Sequence, residues 1–298
     1  MNVSPINLVS FPKNINCKNN QSNSRYYLPF DSVSFSGKKD IVQQEYPKNI
    51  QEGIAVGKKI LKLARSNSLN YETLNNILNE NSPVQIYAED IGNMPSIAKG
   101  SFGKPVAHML PGYTPDFKLA VANIYLGALP KTSKEESDFA ANVAHEYTHV
   151  LQRAKDENYY DILKYTKNPN EVAVIARTSK SLMDKMCGIC QQKLFNSEKE
   201  VRMVLNSVLD NKFDIKKSMG EIDFNEVIDS LAPILAIQLN KNPEDMKNAI
   251  KGWIIQETQN EKEAYSVTLD ILERSKCDQN IKASRNACFF YVYLTLKT

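Results

Sequence analysis

A chain of 298 residues is long enough to bury a core in one or two domains. Its 37 basic side chains nearly balance its 34 acidic ones, leaving a net charge of +3, and no long basic block occurs, which argues against a nucleic-acid surface. Apolar residues make up 42%, adequate for a globular core, but no apolar run reaches transmembrane length, and residues 231–239 are too short to span a bilayer.

The first 48 residues are rich in Asn, Ser and Lys, carry Pro12, Pro29 and Pro47, and show no hydrophobic period. They are predicted to form a disordered or loosely attached arm. Met1 to Phe11 has neither a basic segment nor a sustained apolar stretch, so it does not read as a secretory signal. A cytoplasmic chain is expected, with non-classical export left open. Cys17 in this arm reads as an idle thiol rather than a metal cap.

Residues 83–89 alternate apolar and polar with a period of two and are predicted as a strand. Residues 106–110 and 117–126 are predicted as two more, separated by loops punctuated with Gly100, Gly103, Pro105, Pro111, Gly112 and Pro115. His108, within the second, reads as an ordinary strand histidine, the alternative being an oxyanion donor.

Ser133, followed three residues later by Glu136, reads as a capping box that starts a helix. Phe139, Ala140, Val143, Ala144, Thr148 and Leu151 then recur at helical spacing, so one face of that helix is expected to be buried. Its second half carries His145-Glu146-Tyr147-Thr148-His149. Residues four apart share a helix face, so two imidazoles can meet one metal ion. Glu146, next to the first of them, is positioned to accept a proton from water at that ion. The chain has only three histidines. That two of them fall in this pattern makes chance placement a poor explanation.

The segment resembles the active-site helix of the zincin metallopeptidases over about twenty residues. The resemblance implies a single Zn2+ held by His145 and His149, with Glu146 as general base in peptide-bond hydrolysis. The metzincin branch requires Gly and a third His soon after the second ligand; this chain continues Val150-Leu151-Gln152-Arg153-Ala154 and has no later histidine. A carboxylate must therefore complete the set. The gluzincin branch takes it from a later Glu-x-x-Ala/Ser-Asp/Asn. Glu261 with Ala264 is the preferred match and Glu263 with Ser266 the alternative. Tyr265 occupies the place of the usual Asp or Asn, which removes the expected outer partner of a ligating histidine. The family also places the last strand beside the cleft, which would set residues 120–127 along the substrate groove.

Downstream, the pattern turns helical. Residues 171–195 carry Val172, Val174, Ile175, Leu182, Met186 and Ile189 at helical spacing, and residues 197–209 are a second predicted helix. Residues 224–239 are strongly apolar, with Pro233 expected to kink or divide them. Asn242-Pro243-Glu244-Asp245 reads as a helix start, for a helix ending near Thr258. A separate ligand helix is expected over 260–275 and a last apolar helix or strand over 281–296. Tyr159 and Tyr160 read as packing aromatics, with oxyanion donation as the alternative. Cys187 and Cys190 read as buried packing within their helix; Cys277 and Cys288 lack the spacing of a second zinc pair.

The expected fold is thus α+β and mostly helical: a small N-terminal sheet and active-site helix over 49–155, then an all-helical half over 156–298. The expected activity is that of a gluzincin-like zinc metallopeptidase acting on peptides or proteins. An inactive zincin-fold binding or scaffold protein is the alternative, and a helical protein without metal a third reading.

Overall fold

The computed structural model describes residues 46–95, 107–155, 159–194, 224–272 and 276–297. The arm expected over 1–48, Cys17 within it and the helix expected over 197–209 lie outside these residues, save for 46–48. Two helices that the patterning above does not anticipate precede the sheet. Helix α1 (Lys48–Arg65) starts after Pro47, whose carbonyl accepts from Ile50 N–H at 2.9 Å and Gln51 N–H at 3.1 Å. Helix α2 (Tyr71–Asn79) starts at a capping box. Thr73 N–H donates to Asn70 Oδ1 at 2.8 Å, and Asn70 N–H donates to Thr73 Oγ1 at 3.0 Å.

The three predicted strands form one sheet: β1 (Gln85–Asp90), β2 (Ala107–Tyr113) and β3 (Leu119–Leu126), in the order β1-β3-β2. β1 runs parallel to β3, with Ile86 opposite Ala122 and Ala88 opposite Ile124; β2 runs antiparallel, with Met109 opposite Ile124. Ile86, Ala88, Met109, Ala122, Ile124 and Leu126 join one buried apolar cluster with α1 and the motif helix. The expectation that residues 120–127 form the edge beside the groove is therefore corrected. β3 is the central strand, flanked on both sides, and β2 is the edge that meets the motif helix.

The two outer edges of the sheet differ. On β1, Asn79 accepts from Ile86 N–H at 2.8 Å and donates to its carbonyl at 2.8 Å, while Asn75 accepts from Ala88 N–H at 2.7 Å. Two asparagines one turn apart on α2 thus close that edge with hydrogen bonds a partner strand would otherwise make. On β2, Pro111 lies two residues from Met109, whose N–H points away from β3. Its missing N–H therefore costs no ladder bond.

Helix α3 (Ser133–Arg153) carries the motif. Its cap is Thr132 with Glu135, one residue earlier than the predicted Ser133 and Glu136. Glu135 Oε2 accepts from Thr132 N–H at 3.1 Å and from Lys131 N–H at 2.8 Å, and Thr132 Oγ1 accepts from Glu135 N–H. Two orphan donors decide the box, and Glu135 reaches both. Phe139, Ala140, Val143, Ala144, Thr148 and Leu151 are all buried, as their spacing predicts.

A short helix α4 (Tyr160–Leu163) leads to α5 (Pro169–Leu194), α6 (Phe224–Leu239), α7 (Pro243–Ile271) and α8 (Lys276–Lys297). Helix α6 passes through Pro233 undivided. The helix start at Asn242 is as predicted, its side chain accepting from Glu244 N–H at 2.8 Å. The predicted break near Thr258 is absent: α7 is one helix of 29 residues. No Gly or Pro interrupts 253–271, so the ladder has no reason to stop.

A second apolar cluster gathers α4, α5, α6, the first half of α7 and α8, while Val267 and Ile271 at the far end of α7 and Leu272 just beyond it pack into the first. One helix thus crosses between both cores. Behind the motif, Gly53 and Gly57 let α1 approach α3 and α7. A Cβ at Gly53 would strike Thr148 Oγ1, and one at Gly57 would strike Ile271 and the Ala144 Cβ. Among the described residues no helix is long and apolar enough to cross a membrane.

Candidate metal centre

Helices α3 and α7 pack antiparallel, and their polar contacts form a ladder. From one end, His145 meets Thr268, His145 and His149 meet Glu261, Gln152 meets the Asn260 carbonyl, and Arg153 meets Glu257. The continuity of α7 is what allows this. Glu257, Glu261 and Thr268 recur at four and seven residues, one face of one helix.

At the centre of the ladder, one ligand atom from each of His145, His149 and Glu261 converges within 4.8 Å of the others. The two Nε2 atoms are 3.1 Å apart. Glu261 Oε2 is 3.6 Å from His145 Nε2, and Oε1 is 3.7 Å from His149 Nε2. A tetrahedral zinc with bonds of about 2.0–2.1 Å holds its donors about 3.3 Å apart, so the spacing fits such an ion. The outer ring nitrogens are engaged elsewhere. His145 Nδ1 lies 3.2 Å from Thr268 Oγ1, which itself donates to the Ala264 carbonyl at 3.1 Å and so accepts from the imidazole. His149 Nδ1 lies 2.9 Å from Gln152 Oε1. Both Nε2 lone pairs then face one another, an arrangement that repels unless a cation lies between them.

The electrostatics favour a cation beside the carboxylate, whether an ion or a proton on the imidazoles. Burial pushes the Glu261 carboxyl up, but His149, His145 and Lys180 outweigh it and hold the group well below the usual carboxylate range, in the charged form a cation needs. Burial disfavours a charged His145, yet Glu261 and Glu146 together raise its pKa. Glu146 sits on the side of α3 that faces the sheet edge, and its Oε2 accepts from Met109 N–H of β2 at 2.9 Å. That bond leaves Oε1 for a water proton.

Of the two acids weighed in the sequence, Glu261 joins the imidazoles and Glu263 does not. Glu263 instead accepts from Gln152 Nε2 at 3.0 Å and from Gln259 Nε2 at 2.9 Å. The outer partner that Tyr265 was expected to remove is supplied three positions later, by Thr268. Tyr265 packs its ring edge-on against His145, centroids 4.6 Å apart, and its hydroxyl accepts from Arg285 at 3.4 Å. Thr268 and Gln152 carry no motif, and only their helical offsets from Glu261 and His149 would have found them.

His108 stands on β2 near Glu146; burial lowers its pKa, Glu146 opposes this, and Lys180, Arg153 and His149 reinforce it. Tyr159 is a packing residue, edge-on to Tyr113 at 5.2 Å and beside Phe117 at 5.8 Å, while Tyr160 is exposed beneath Lys164. Phe117 holds a left-handed backbone, φ 63°, in the β2–β3 turn that delivers its ring to Tyr159. Cys190 and Cys288 are buried and Cys187 is half-buried; burial raises Cys187 and pushes Cys288 up to about 12. None of the three enters a metal-ligand cluster among the described residues. Set against family models, curated proteins and solved structures, the chain matches none of them.

Proposed function

We propose that this chain is a gluzincin-like zinc metallopeptidase of the cytoplasm. His145, His149 and Glu261 hold one Zn2+, and Glu146 is the general base. The observation that carries the reading is the convergence of three ligand atoms from two helices, 112 positions apart in sequence, on a volume of one ion's size. Two imidazoles and a carboxylate suit zinc among the common divalent ions. Three protein ligands leave a tetrahedral ion one position for substrate or water. When bound, the ion supplies Lewis acidity, polarising a carbonyl and acidifying water to a pKa of about 7.

The remaining work belongs to the chain. Glu146 is oriented by Met109 N–H, takes a proton from water through its other oxygen, and returns it to the leaving amine. β1 is closed to an added strand by Asn75 and Asn79, and on the outer edge of β2 Glu146 takes the Met109 N–H and Pro111 has none, so an extended peptide there would pair through the carbonyls of β2.

The test is elemental analysis of the purified protein followed by casein or peptide-library cleavage with a chelator control. We expect about one zinc per chain, cleavage that stops on chelation, and a Glu146→Gln variant that keeps its zinc but loses turnover. Protein without metal after incubation in Zn2+ would sink the reading. Loaded protein that cleaves nothing would leave a zincin-like binding module.

A further inference from the structure

We propose that Glu263, acting through the amide of Gln152, fixes the tautomer and orientation of His149, and is therefore a positioning residue for the metal centre. The consequence for the ion rests on the reading above; the effect on the imidazole does not.

Gln152 is 4% exposed, so its amide has to find its partners within the protein. Its Nε2 carries two protons and lies 3.0 Å from the Asn260 carbonyl and 3.0 Å from Glu263 Oε2, both pure acceptors. Flipping the amide would set its oxygen against these two acceptors, so the orientation is determined. Oε1 is left 2.9 Å from His149 Nδ1, and a carbonyl oxygen can only accept. The proton of His149 is therefore on Nδ1, and the Nε2 lone pair points at His145 and Glu261. Asn260 holds one proton of the amide. Glu263 holds the other with a charge-assisted bond, and is itself braced by Gln259 Nε2 at 2.9 Å. Where a carboxylate commonly touches a ligating imidazole directly, here an amide stands between them. The charge stays one residue back, away from Glu261.

The uncomplexed protein tests this, because its three histidines give only three imidazoles to resolve. Long-range 1H–15N spectra of the 15N-labelled chain, freed of metal, distinguish a proton on Nδ1 from one on Nε2. We expect His149 wholly as the Nδ1–H form in the parent. Glu263→Ala and Gln152→Leu should each give a mixture, and Glu263→Gln, which retains an acceptor for Nε2, should restore the parent form. Calorimetric titration with Zn2+ alone is the second readout. Gln152→Leu should weaken binding by about 10–100-fold. Glu263→Ala should weaken it less, and the double variant no more than Gln152→Leu, because both act through one amide. Partly exposed Glu263 keeps the test open if Gln152→Leu fails to fold. A parent His149 protonated on Nε2, a Glu263→Ala protein identical to the parent in both readouts, or additive losses in the double variant would overturn the proposal. A parent that binds no Zn2+, but whose His149 loses its tautomer in Glu263→Ala, would overturn the metal reading and uphold this one.

Discussion

At the scale of single residues, the motif was legible because its chemistry is local. His145, Glu146 and His149 lie within one turn and a half of a helix whose apolar spacing is plain. The third group was legible only as a pair of acids, Glu261 and Glu263, since sequence spacing does not say which of two nearby side chains crosses to another helix. The groups around them were not legible at all. Thr268, Gln152 and Glu257 are ordinary helix residues until α3 and α7 are set antiparallel. Glu257 shows what that costs to disturb. It pairs with Arg153 at 2.9 Å, the side chains 6% and 16% exposed, and Arg153 also donates to the Tyr113 hydroxyl at 3.2 Å. Burial lowers the Arg153 pKa, but Glu257, with Tyr113 and Tyr159, together more than offsets it. Glu257→Ala strands a buried guanidinium and should cost about 3–5 kcal/mol in urea unfolding. Arg153→Met with Glu257→Met should recover most of that loss, because it removes both charges; a double variant as unstable as the single would show that the pair itself, not the stranded charge, is what matters.

At the scale of elements, strands and helices were read with few errors where periodicity and punctuation agree, as in β1 and α5. Boundaries were illegible where a rule about one residue meets a longer context. Pro233 lies inside α6, whose buried residues Ile228, Ala232, Leu235 and Ala236 continue on both sides of it. The acid-rich stretch before Ala264 looked like a helix start but is the middle of α7, buried at Glu257, Asn260 and Ala264. Which strand is central was illegible, since order in a sheet is a tertiary choice. Helix α1 shows how context decides the sign of one substitution. A Cβ at Gly57 meets Ile271 and Ala144 on two other helices, whereas one at Gly188 of α5 meets nothing within 4 Å. Replacing Gly by Ala in a helix gains about 1 kcal/mol from propensity alone. Overpacking costs about 1–3 kcal/mol. Gly188→Ala should therefore stabilise the protein by up to about 1 kcal/mol, while Gly57→Ala should destabilise it by about 1 kcal/mol, both read from chemical denaturation midpoints. A stabilised Gly57→Ala protein would mean that α1 is free to move away from the motif helix.

At the scale of the molecule, the centre sits where two apolar clusters meet. Helix α3 belongs to the sheet-side core; α7 starts in the helical core with Met246, Ile250 and Trp253 and ends in the other with Val267 and Ile271. Glu261 lies on the span between, so an ion bridging it to His145 and His149 ties the carrier helix of one core to the helix both cores share. Such an ion binds the folded chain far better than the unfolded one, where the ligands are 112 positions apart, and so adds its binding free energy to stability. At a free Zn2+ concentration one hundred times its dissociation constant the gain is about 2.7 kcal/mol. For a chain of this length each kcal/mol moves the midpoint by about 1.5–2 °C, so thermal unfolding should rise by about 4–5 °C on adding Zn2+ and fall back on chelation. His149→Ala and Glu261→Ala should each abolish the rise, and Glu146→Gln should keep it, because that carboxylate touches β2 rather than the triad. An equal Zn2+ response in all three variants would place the ion elsewhere on the chain.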